Sequence, residues 1–189
     1  MSRTTIAHLF HSLDGVVEDP HLWQFDCFGE EDGTAMDASL APVTDAVIGG
    51  TLWREWLGHW PAAERADEPD DFVGWINPAR KHVISSTLAA EYPDGLPWNS
   101  TLVTGDPVDY LRRLKETGSG DIAVLGGVGT VRSLFLAGMI DRLTLTTHPV
   151  IAGEGRHLFD DSVPVTRLRL LDVTQTSSGN AVLTYGLRD

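Results

Sequence analysis

The residues with the clearest chemical meaning lie in one short turn, Gly126-Gly127-Val128-Gly129-Thr130. The apolar run 122–125 predicts a strand that ends at this turn, and a helical pattern of apolar residues begins directly after it. N–H groups in the first turn of a helix lack partners within the helix, and the helix dipole places partial positive charge there. The turn therefore predicts a phosphate-binding site. Alternatively, its glycines only allow a strand and a helix to pack tightly.

Four further turns follow short apolar runs that predict strands. These turns are Asp14-Gly15, Gly49-Gly50-Thr51, Ser85-Ser86 and Thr104-Gly105. Ligands of open α/β sheets bind beyond the carboxyl ends of parallel strands. If the strands are neighbours, we expect these turns and the central glycine turn to meet in one cleft.

Other chemistries find little support in the sequence. The histidines show no metal-ligand spacing, so no metal site is predicted, and Cys27 is the single cysteine, so no internal disulfide can form. Ser12 and Ser133 have no recognisable His and Asp partners for nucleophilic hydrolysis. The net charge of −13 argues against a nucleic-acid partner. One cysteine, and no apolar run near the roughly 20 residues that span a bilayer, lead us to expect a cytoplasmic protein without membrane contact.

Strand and helix patterns alternate along the first 150 residues or so of the chain. The predicted strands are 6–13, 46–48, 82–84, 101–103, 122–125, 143–151, 168–174 and 181–187. Helices are predicted over 34–40, after Thr51 as N-cap, after Asp106-Pro107, and from Val128 to Met139. Residues 19–32 predict a loop, and the acidic segment 61–71 predicts an exposed excursion that could act as a lid.

These patterns predict an α/β fold in one domain, residues 1–189. The alternation favours a largely parallel sheet with helices on both faces. Ser178-Gly179-Asn180 predicts a turn between the last two strands, which would add an antiparallel hairpin at one edge. The expected result is a three-layer αβα domain around a mixed, mostly parallel sheet.

At this point the chain resembles a known family, the C-terminal reductase domains of bifunctional riboflavin-biosynthesis proteins, whose fold is similar to dihydrofolate reductase. The resemblance rests on four motifs in order along nearly the whole chain. They are Ser12-Leu13-Asp14-Gly15, Gly126-Gly127-Val128-Gly129-Thr130, Gly138-Met139-Ile140-Asp141-Arg142-Leu143, and the run from Pro149 to Phe159. The resemblance implies a reductase that binds NADPH.

The resemblance also implies where the cofactor lies. Gly126, Gly127, Val128, Gly129 and Thr130 would wrap its diphosphate, and the peptide between Gly126 and Gly127 would be cis. Gly49, Gly50 and Thr51 match a second phosphate turn, and Ser85 and Ser86 match paired serines that hold the adenosine 2′-phosphate. The two serines could equally cap a following helix.

One position departs from the family pattern. The family commonly has arginine where this chain has Gly50, and that arginine contacts phosphate. Arg54, one helical turn later, or Arg80 could replace it. Without either arginine, the preference for NADPH over NADH would weaken, by about ten-fold for one lost charged hydrogen bond.

On the substrate side, Asp14 is the residue we expect to orient or protonate the substrate, although Asp-Gly is more often only a turn. An acid that delivers a proton near neutral pH needs a raised pKa and a partly buried position. Gly15, Trp23 and Trp53 are expected to contact the substrate. The resemblance also implies an acidic residue on the helix after the first loop, where Asp32 and Asp37 both occur and neither is assigned.

Two functions from different classes follow. The first is an NADPH-dependent reductase that acts on a small pteridine- or pyrimidine-like heterocycle or on a carbonyl compound. The second is a non-catalytic module that binds a nucleotide, or dimerises, on the same fold. The resemblance further implies a homodimer, with contact through the C-terminal strands.

Overall fold

The computed structural model describes residues 2–63 and 71–188. The excursion predicted for residues 61–71 therefore lies mostly outside the described residues. Within the described ranges, no helix combines the length and the apolar character needed to cross a membrane.

The strands form one mixed sheet. They are β1 (Thr5–Ser12), β2 (Val43–Gly49), β3 (Arg80–Ile84), β4 (Ser100–Leu102), β5 (Asp121–Gly126), β6 (Arg142–His148), β7 (Leu168–Gln175) and β8 (Ala181–Leu187). Their order across the sheet is β4-β3-β2-β5-β1-β6-β8-β7. The first six strands in that order run parallel, while β8 pairs antiparallel with both β6 and β7. The predicted mostly parallel sheet with a C-terminal antiparallel hairpin is confirmed.

Helices fill the connections between the parallel strands. They are α1 (Glu30–Leu40), α2 (Gly50–Leu57), α3 (Trp60–Ala63), α4 (Asp71–Ile76), α5 (Leu88–Glu91), α6 (Pro107–Lys115) and α7 (Val128–Leu136). The first loop, between β1 and α1, also contains two short 3₁₀ turns at Pro20–Leu22 and Phe25–Cys27.

The central strand β5 shows why the domain has three layers. Successive side chains of a strand point to opposite faces. Ile122 and Val124 pack into the cluster that contains residues of α6 and α7. Ala123 and Leu125 pack on the other face, in the cluster that contains residues of α1 and α4. Apolar residues at successive positions of β5 therefore hold a helical layer on each side of the sheet.

The helix starts were predicted with mixed success. Asp106 caps α6 as expected, because its Oδ1 accepts hydrogen bonds from the N–H groups of Val108 (2.9 Å) and Asp109 (3.0 Å). The prediction that Thr51 caps α2 was wrong. The extended residue before α2 is Gly49, so Thr51 lies inside the first helical turn and is exposed. Helix α1 begins four residues earlier than predicted, at Glu30.

Candidate active site

The turns predicted to form one cleft lie on adjacent strands. β4, β3, β2, β5 and β1 are consecutive neighbours and parallel, so their carboxyl ends share one edge of the sheet. A Cβ placed on Gly49 would lie 3.0 Å from Thr130 Oγ1 and 3.3 Å from the nitrogen of Gly127. The turns after β2 and β5 are thus in direct contact, as the cleft requires.

The glycine corner, residues 126–130, presents free backbone donors. The peptide between Gly126 and Gly127 is cis, as expected. The carbonyl of Gly127 accepts from the N–H groups of Thr130 (2.9 Å) and Val131 (3.2 Å). Among the described residues, the N–H groups of Val128 and Gly129 have no hydrogen-bond partner. A Cβ on Gly127 or Gly129 would meet no atom within 4 Å, so the surface beside these donors is open.

The neighbouring turn explains why residue 50 is glycine. A Cβ on Gly50 would lie 2.8 Å from Ser85 Cβ, too close for any side chain. Arg54 reaches the same place from one turn further along α2, and its Nη2 donates to Thr87 Oγ1 at 2.8 Å. Its guanidinium also forms two hydrogen bonds to the carboxylate of Glu91, one of them at 3.0 Å. Arg54 therefore lies beside the serine turn, but its guanidinium also forms an ion pair with the carboxylate of Glu91.

The alternative that Arg80 reaches the phosphate turn was wrong. Arg80 lies at the start of β3, at the opposite end of the sheet, and donates to both carboxylate oxygens of Asp45 at 2.8 and 2.7 Å. The alternative role of the serine pair, to cap the helix that follows, is seen for Ser85 and not for Ser86. Ser85 Oγ accepts from the N–H groups of Thr87 (3.2 Å) and Leu88 (3.3 Å), whereas Ser86 is exposed.

Asp14 does not have the environment of a proton donor, and that part of its predicted role was wrong. Its exposed carboxylate accepts hydrogen bonds from Ser12 Oγ (2.6 Å), Ala152 N (3.0 Å) and Gly153 N (2.8 Å). These bonds, the one from Ser12 foremost, lower the pKa of Asp14 to about 2, so the group is an anion near neutral pH. Asp14 ties the loop after β6 to the end of β1.

Gly15 and Trp23 both lie on the first loop, after β1. Gly15 has φ of +96°, a conformation that favours glycine, and a Cβ there would lie 3.2 Å from His157 Nδ1. The half-buried Trp23 ring stands edge-on to the His148 ring, with centroids 5.8 Å apart. The predicted contact of both residues with a substrate stays a prediction.

Trp53, by contrast, cannot contact a substrate, and that prediction was wrong. Its side chain is fully buried in the apolar cluster under α2, and its Nε1 donates to Ser100 Oγ at 2.9 Å. The apolar stripe of α2 directs this ring into the core, whereas Trp23 lies on the first loop, beside the edge of the sheet.

A buried polar cluster near the ends of β1 and β6 was missed by the sequence analysis. We call it the histidine pocket; its members are His8, His148, Asp32 and Asn180. The carboxylate of Asp32 is 2% exposed and accepts from Asn180 Nδ2, Gly29 N (both 2.9 Å) and Ser178 Oγ (2.6 Å). Burial raises the pKa of Asp32, but these hydrogen bonds outweigh burial and lower the pKa below its usual range. Asp32 is thus held as an anion.

The two histidines of this pocket are held neutral. Burial lowers the pKa of His8 to about 4, and its Nε2 forms a hydrogen bond with Thr146 Oγ1 at 2.7 Å. Burial likewise lowers the pKa of His148, which is fully buried. The alternation of residues in β1 indicates from the sequence that His8 and Phe10 share a face. The sequence does not show that β1 pairs with β6, and only the structure reveals this pairing. Within the described residues, no group of His, Cys, Asp and Glu side chains is placed to hold a metal ion.

The comparisons with known proteins agree with this fold. The model of the RibD C-terminal domain matches residues 3–182, so the chain belongs to that family. The uncharacterized protein YyaP of Bacillus subtilis (strain 168) is 23% identical over 97% of this chain and 94% of its own length.

Two solved structures share this fold. A pyrimidine reductase-like protein from Corynebacterium diphtheriae superposes with a TM-score of 0.66 at 18% identity, over 99% of this chain and 93% of that one. Dihydrofolate reductase from Enterococcus faecalis, complexed with NADP(H), gives a TM-score of 0.60 at 14% identity over the whole of both chains. The chain therefore has the dihydrofolate reductase-like fold.

Proposed function

We propose that the chain is an NADPH-dependent reductase that transfers hydride to a small pteridine- or pyrimidine-like heterocycle or to a carbonyl compound. The observation that carries this proposal is the glycine corner. It combines two free backbone donors, the start of a nine-residue helix and open space where side chains would stand. A diphosphate needs these features together, because it is anionic and must approach the backbone closely. Membership of the RibD C-terminal family supports the choice of a reductase.

The described residues fit the rest of the cofactor. Gly126 to Thr130 would hold the diphosphate, and Gly49, Gly50 and Thr51 would form the second phosphate turn. Arg54 and Ser86, with Ser85 beside them, would meet the adenosine 2′-phosphate, since the guanidinium already reaches the serine turn. NADPH supplies the hydride when bound. The protein aligns donor and acceptor and excludes water between them.

The acceptor would lie on the β1 and β6 side of the glycine corner. Gly15 and Trp23, on the first loop, would contact it there, and Trp23 lies beside His148 of the histidine pocket. Asp14 contributes the position of the loop after β6 rather than a proton. The cytoplasmic location expected from the sequence stays a prediction.

Turnover distinguishes the reductase from a non-catalytic module. The protein is incubated with NADPH and a panel of dihydropterins, aminouracils and carbonyl compounds, and cofactor oxidation is followed by absorbance. We expect at least one acceptor class to be reduced. Saturable NADPH binding without reduction of any acceptor in the panel would favour the binding module instead.

We also propose that two copies associate through β7. This strand is one of the two edge strands of the sheet, and three of its apolar side chains are exposed: Leu170 (51%), Leu171 (39%) and Val173 (59%). An exposed apolar edge strand is a ready site for further pairing. Light scattering at micromolar concentration is expected to give the mass of a dimer, and Val173→Lys is expected to give a monomer. A monomeric wild-type protein would contradict the proposal.

A further inference from the structure

Arg54 and Glu91 form an accessible ion pair beside the proposed cofactor site. Arg54 lies on α2, one turn after Gly50, and Glu91 ends α5, the short helix that follows the serine turn. The guanidinium and the carboxylate are joined by two hydrogen bonds: Nε donates to Oε2 at 3.0 Å, and Nη2 donates to Oε1. The two side chains are 37% and 44% exposed, so a ligand can reach both groups.

The guanidinium of Arg54 has little donor capacity left for a phosphate. A guanidinium carries about five N–H donors. Besides the two bonds to Glu91, Nη2 donates to Thr87 Oγ1 at 2.8 Å, and Nη1 donates to the carbonyl of Gly50 at 3.3 Å. The second N–H of Nη1 is thus the donor without an acceptor among the residues that the structure describes. The charge of the guanidinium is also balanced by the carboxylate with which it is paired.

The strand that leads into the serine turn brings no second positive charge to it. The two cations of β3 lie where this strand begins, at the opposite end from the turn. Arg80 is bound to Asp45, and the buried Lys81 donates to two backbone carbonyls just after α4. The turn after β2 adds no side chain either, because a Cβ on Gly50 would lie 2.8 Å from Ser85 Cβ. A 2′-phosphate at the serine turn would therefore depend on the shared guanidinium of Arg54.

The carboxylate of Glu91 matches an adenosine ribose that carries no phosphate. A free 2′-hydroxyl donates a hydrogen bond, and an acidic side chain accepts it in NAD sites, whereas arginine accommodates the 2′-phosphate in NADP sites. The hydrogen bond from Arg54, ahead of the one from Thr87, lowers the pKa of Glu91 below its usual range, so the group is an anion. A carboxylate has about four acceptor positions. Arg54 and Thr87 leave at least one of them for a ligand.

From this arrangement we infer that Glu91 determines cofactor specificity and admits NADH beside NADPH, because its carboxylate accepts the hydrogen bond of the adenosine 2′-hydroxyl. Arg54 contacts the 2′-phosphate of NADPH, and Glu91 contacts the 2′-hydroxyl of NADH. Both cofactors donate the same hydride to the acceptor and leave as the oxidised dinucleotide, so the reaction is unchanged. The inference rests on the proposed function, since it names a second hydride donor for that same reductase.

Parallel titrations of the wild-type protein with NADH and with NADPH, followed by nicotinamide fluorescence, test the inference. We expect both cofactors to give a saturable signal, with dissociation constants that differ by less than ten-fold. A preference for NADPH of ten-fold or more would overturn the inference, because the site would then be built for the 2′-phosphate. That result would leave the proposed function intact.

Glu91→Gln assigns the effect to this carboxylate. A neutral amide accepts hydrogen bonds more weakly than a carboxylate, so NADH binding is expected to weaken at least three-fold, while NADPH binding becomes stronger. Glu116→Gln makes the same charge change at the exposed C-cap of α6, and neither dissociation constant is expected to change two-fold. Equal NADH affinity in the two variants would overturn the inference. So would an equal weakening of both cofactors in Glu91→Gln, which would assign Glu91 a structural role.

A failure of the proposed function is distinguishable from a failure of the inference. If neither dinucleotide binds the wild-type protein, the proposed function fails. Calorimetric titration with ADP and with 2′-phospho-ADP, which lack nicotinamide, then tests the ribose site alone. Dissociation constants within ten-fold of each other, with ADP binding weakened in Glu91→Gln, would support the inference. No binding of ADP, or an affinity for 2′-phospho-ADP at least ten-fold higher, would overturn it. If Glu91→Gln does not fold, the wild-type ratio decides.

Discussion

The polar groups at the two ends of the parallel strands differ in how they are paired. We call the end at which the strands begin the amino edge and the end at which they finish the carboxyl edge. At the amino edge, the buried carboxylate of Asp45 accepts hydrogen bonds from Arg3, Arg80 and His82. At the carboxyl edge, the N–H groups of Val128 and Gly129 in the glycine corner have no partner among the described residues. The paired groups stabilise the fold, and the unpaired groups are available for a ligand. Substitutions at the amino edge should therefore change stability, and substitutions at the carboxyl edge should change binding.

The largest effect is expected from Asp45→Asn. Burial raises the pKa of Asp45, but the bonds from Arg80, His82 and Arg3 lower it well below its usual range, so the group is charged in the folded protein. The substitution leaves the buried Arg3 without its counter-ion, and the free energy of unfolding should fall by about 3–5 kcal/mol. Urea denaturation measures this, with NADPH affinity expected to stay within two-fold. A loss below about 1 kcal/mol would show that the network is not structural.

The next effect is expected at the carboxyl edge, from Gly129→Ala. No atom lies within 4 Å of the added methyl group, and alanine favours a helix, so stability should be unchanged or higher by up to about 1 kcal/mol. The methyl group would occupy the space of the diphosphate and weaken NADPH binding about 100-fold, or about 2.7 kcal/mol.

Gly74→Ala is the matched control for this substitution. Gly74 is also helical, and a Cβ there would also meet no atom within 4 Å, but it lies on α4, away from the glycine corner. NADPH affinity is expected to be unchanged in this variant. Equal NADPH affinity in Gly129→Ala and Gly74→Ala would remove the glycine corner from the cofactor site.

The histidine pocket predicts a dependence of stability on pH. Burial lowers the pKa of His8 from 6.5 to about 4, so the unfolded chain binds a proton in this range that the folded protein does not. Stability should be highest above about pH 6.5 and fall by roughly 3 kcal/mol as the pH decreases toward 4. The lowered pKa of His148 acts in the same direction. Thermal unfolding at stepwise pH should show this slope, with a shallower slope for His8→Gln. A flat profile would contradict it.

The smallest effect concerns the choice of cofactor. Arg54 lies beside the serine turn but pairs with Glu91, so a 2′-phosphate must compete with that carboxylate. Arg54→Gln is expected to weaken NADPH binding about ten-fold, or about 1.4 kcal/mol, without changing NADH binding. Glu91→Gln releases the guanidinium and should strengthen NADPH binding several-fold. Parallel titrations with both cofactors measure this, and an equal change for NADPH and NADH in either variant would exclude contact with the 2′-phosphate.

The sequence predicts the parts of the site that rest on local patterns. The glycine corner follows from an apolar run, a glycine turn and a helical stripe within about 20 residues, so neighbouring residues determine its conformation. The capping of α6 by Asp106 is local for the same reason. The alternation of strands and helices also sufficed for a mostly parallel sheet with helices on both faces.

The parts that depend on distant contacts were missed or mistaken. Asp32 and Asn180 are 148 positions apart and meet only because β8 pairs with β6. Asp14 was interpreted as an acid because the N–H groups that lower its pKa come from Ala152 and Gly153, on another loop. Trp53 was placed in the cleft because it directly follows the Gly49-Gly50-Thr51 turn, although the apolar stripe of α2 directs its ring into the core.

Titration of the wild-type protein with NADPH, followed by nicotinamide fluorescence, tests most directly whether the carboxyl edge holds a dinucleotide. We predict a saturable signal with a dissociation constant in the micromolar range, weakened about 100-fold in Gly129→Ala and unchanged in Gly74→Ala. The absence of a saturable signal up to millimolar NADPH would contradict the account.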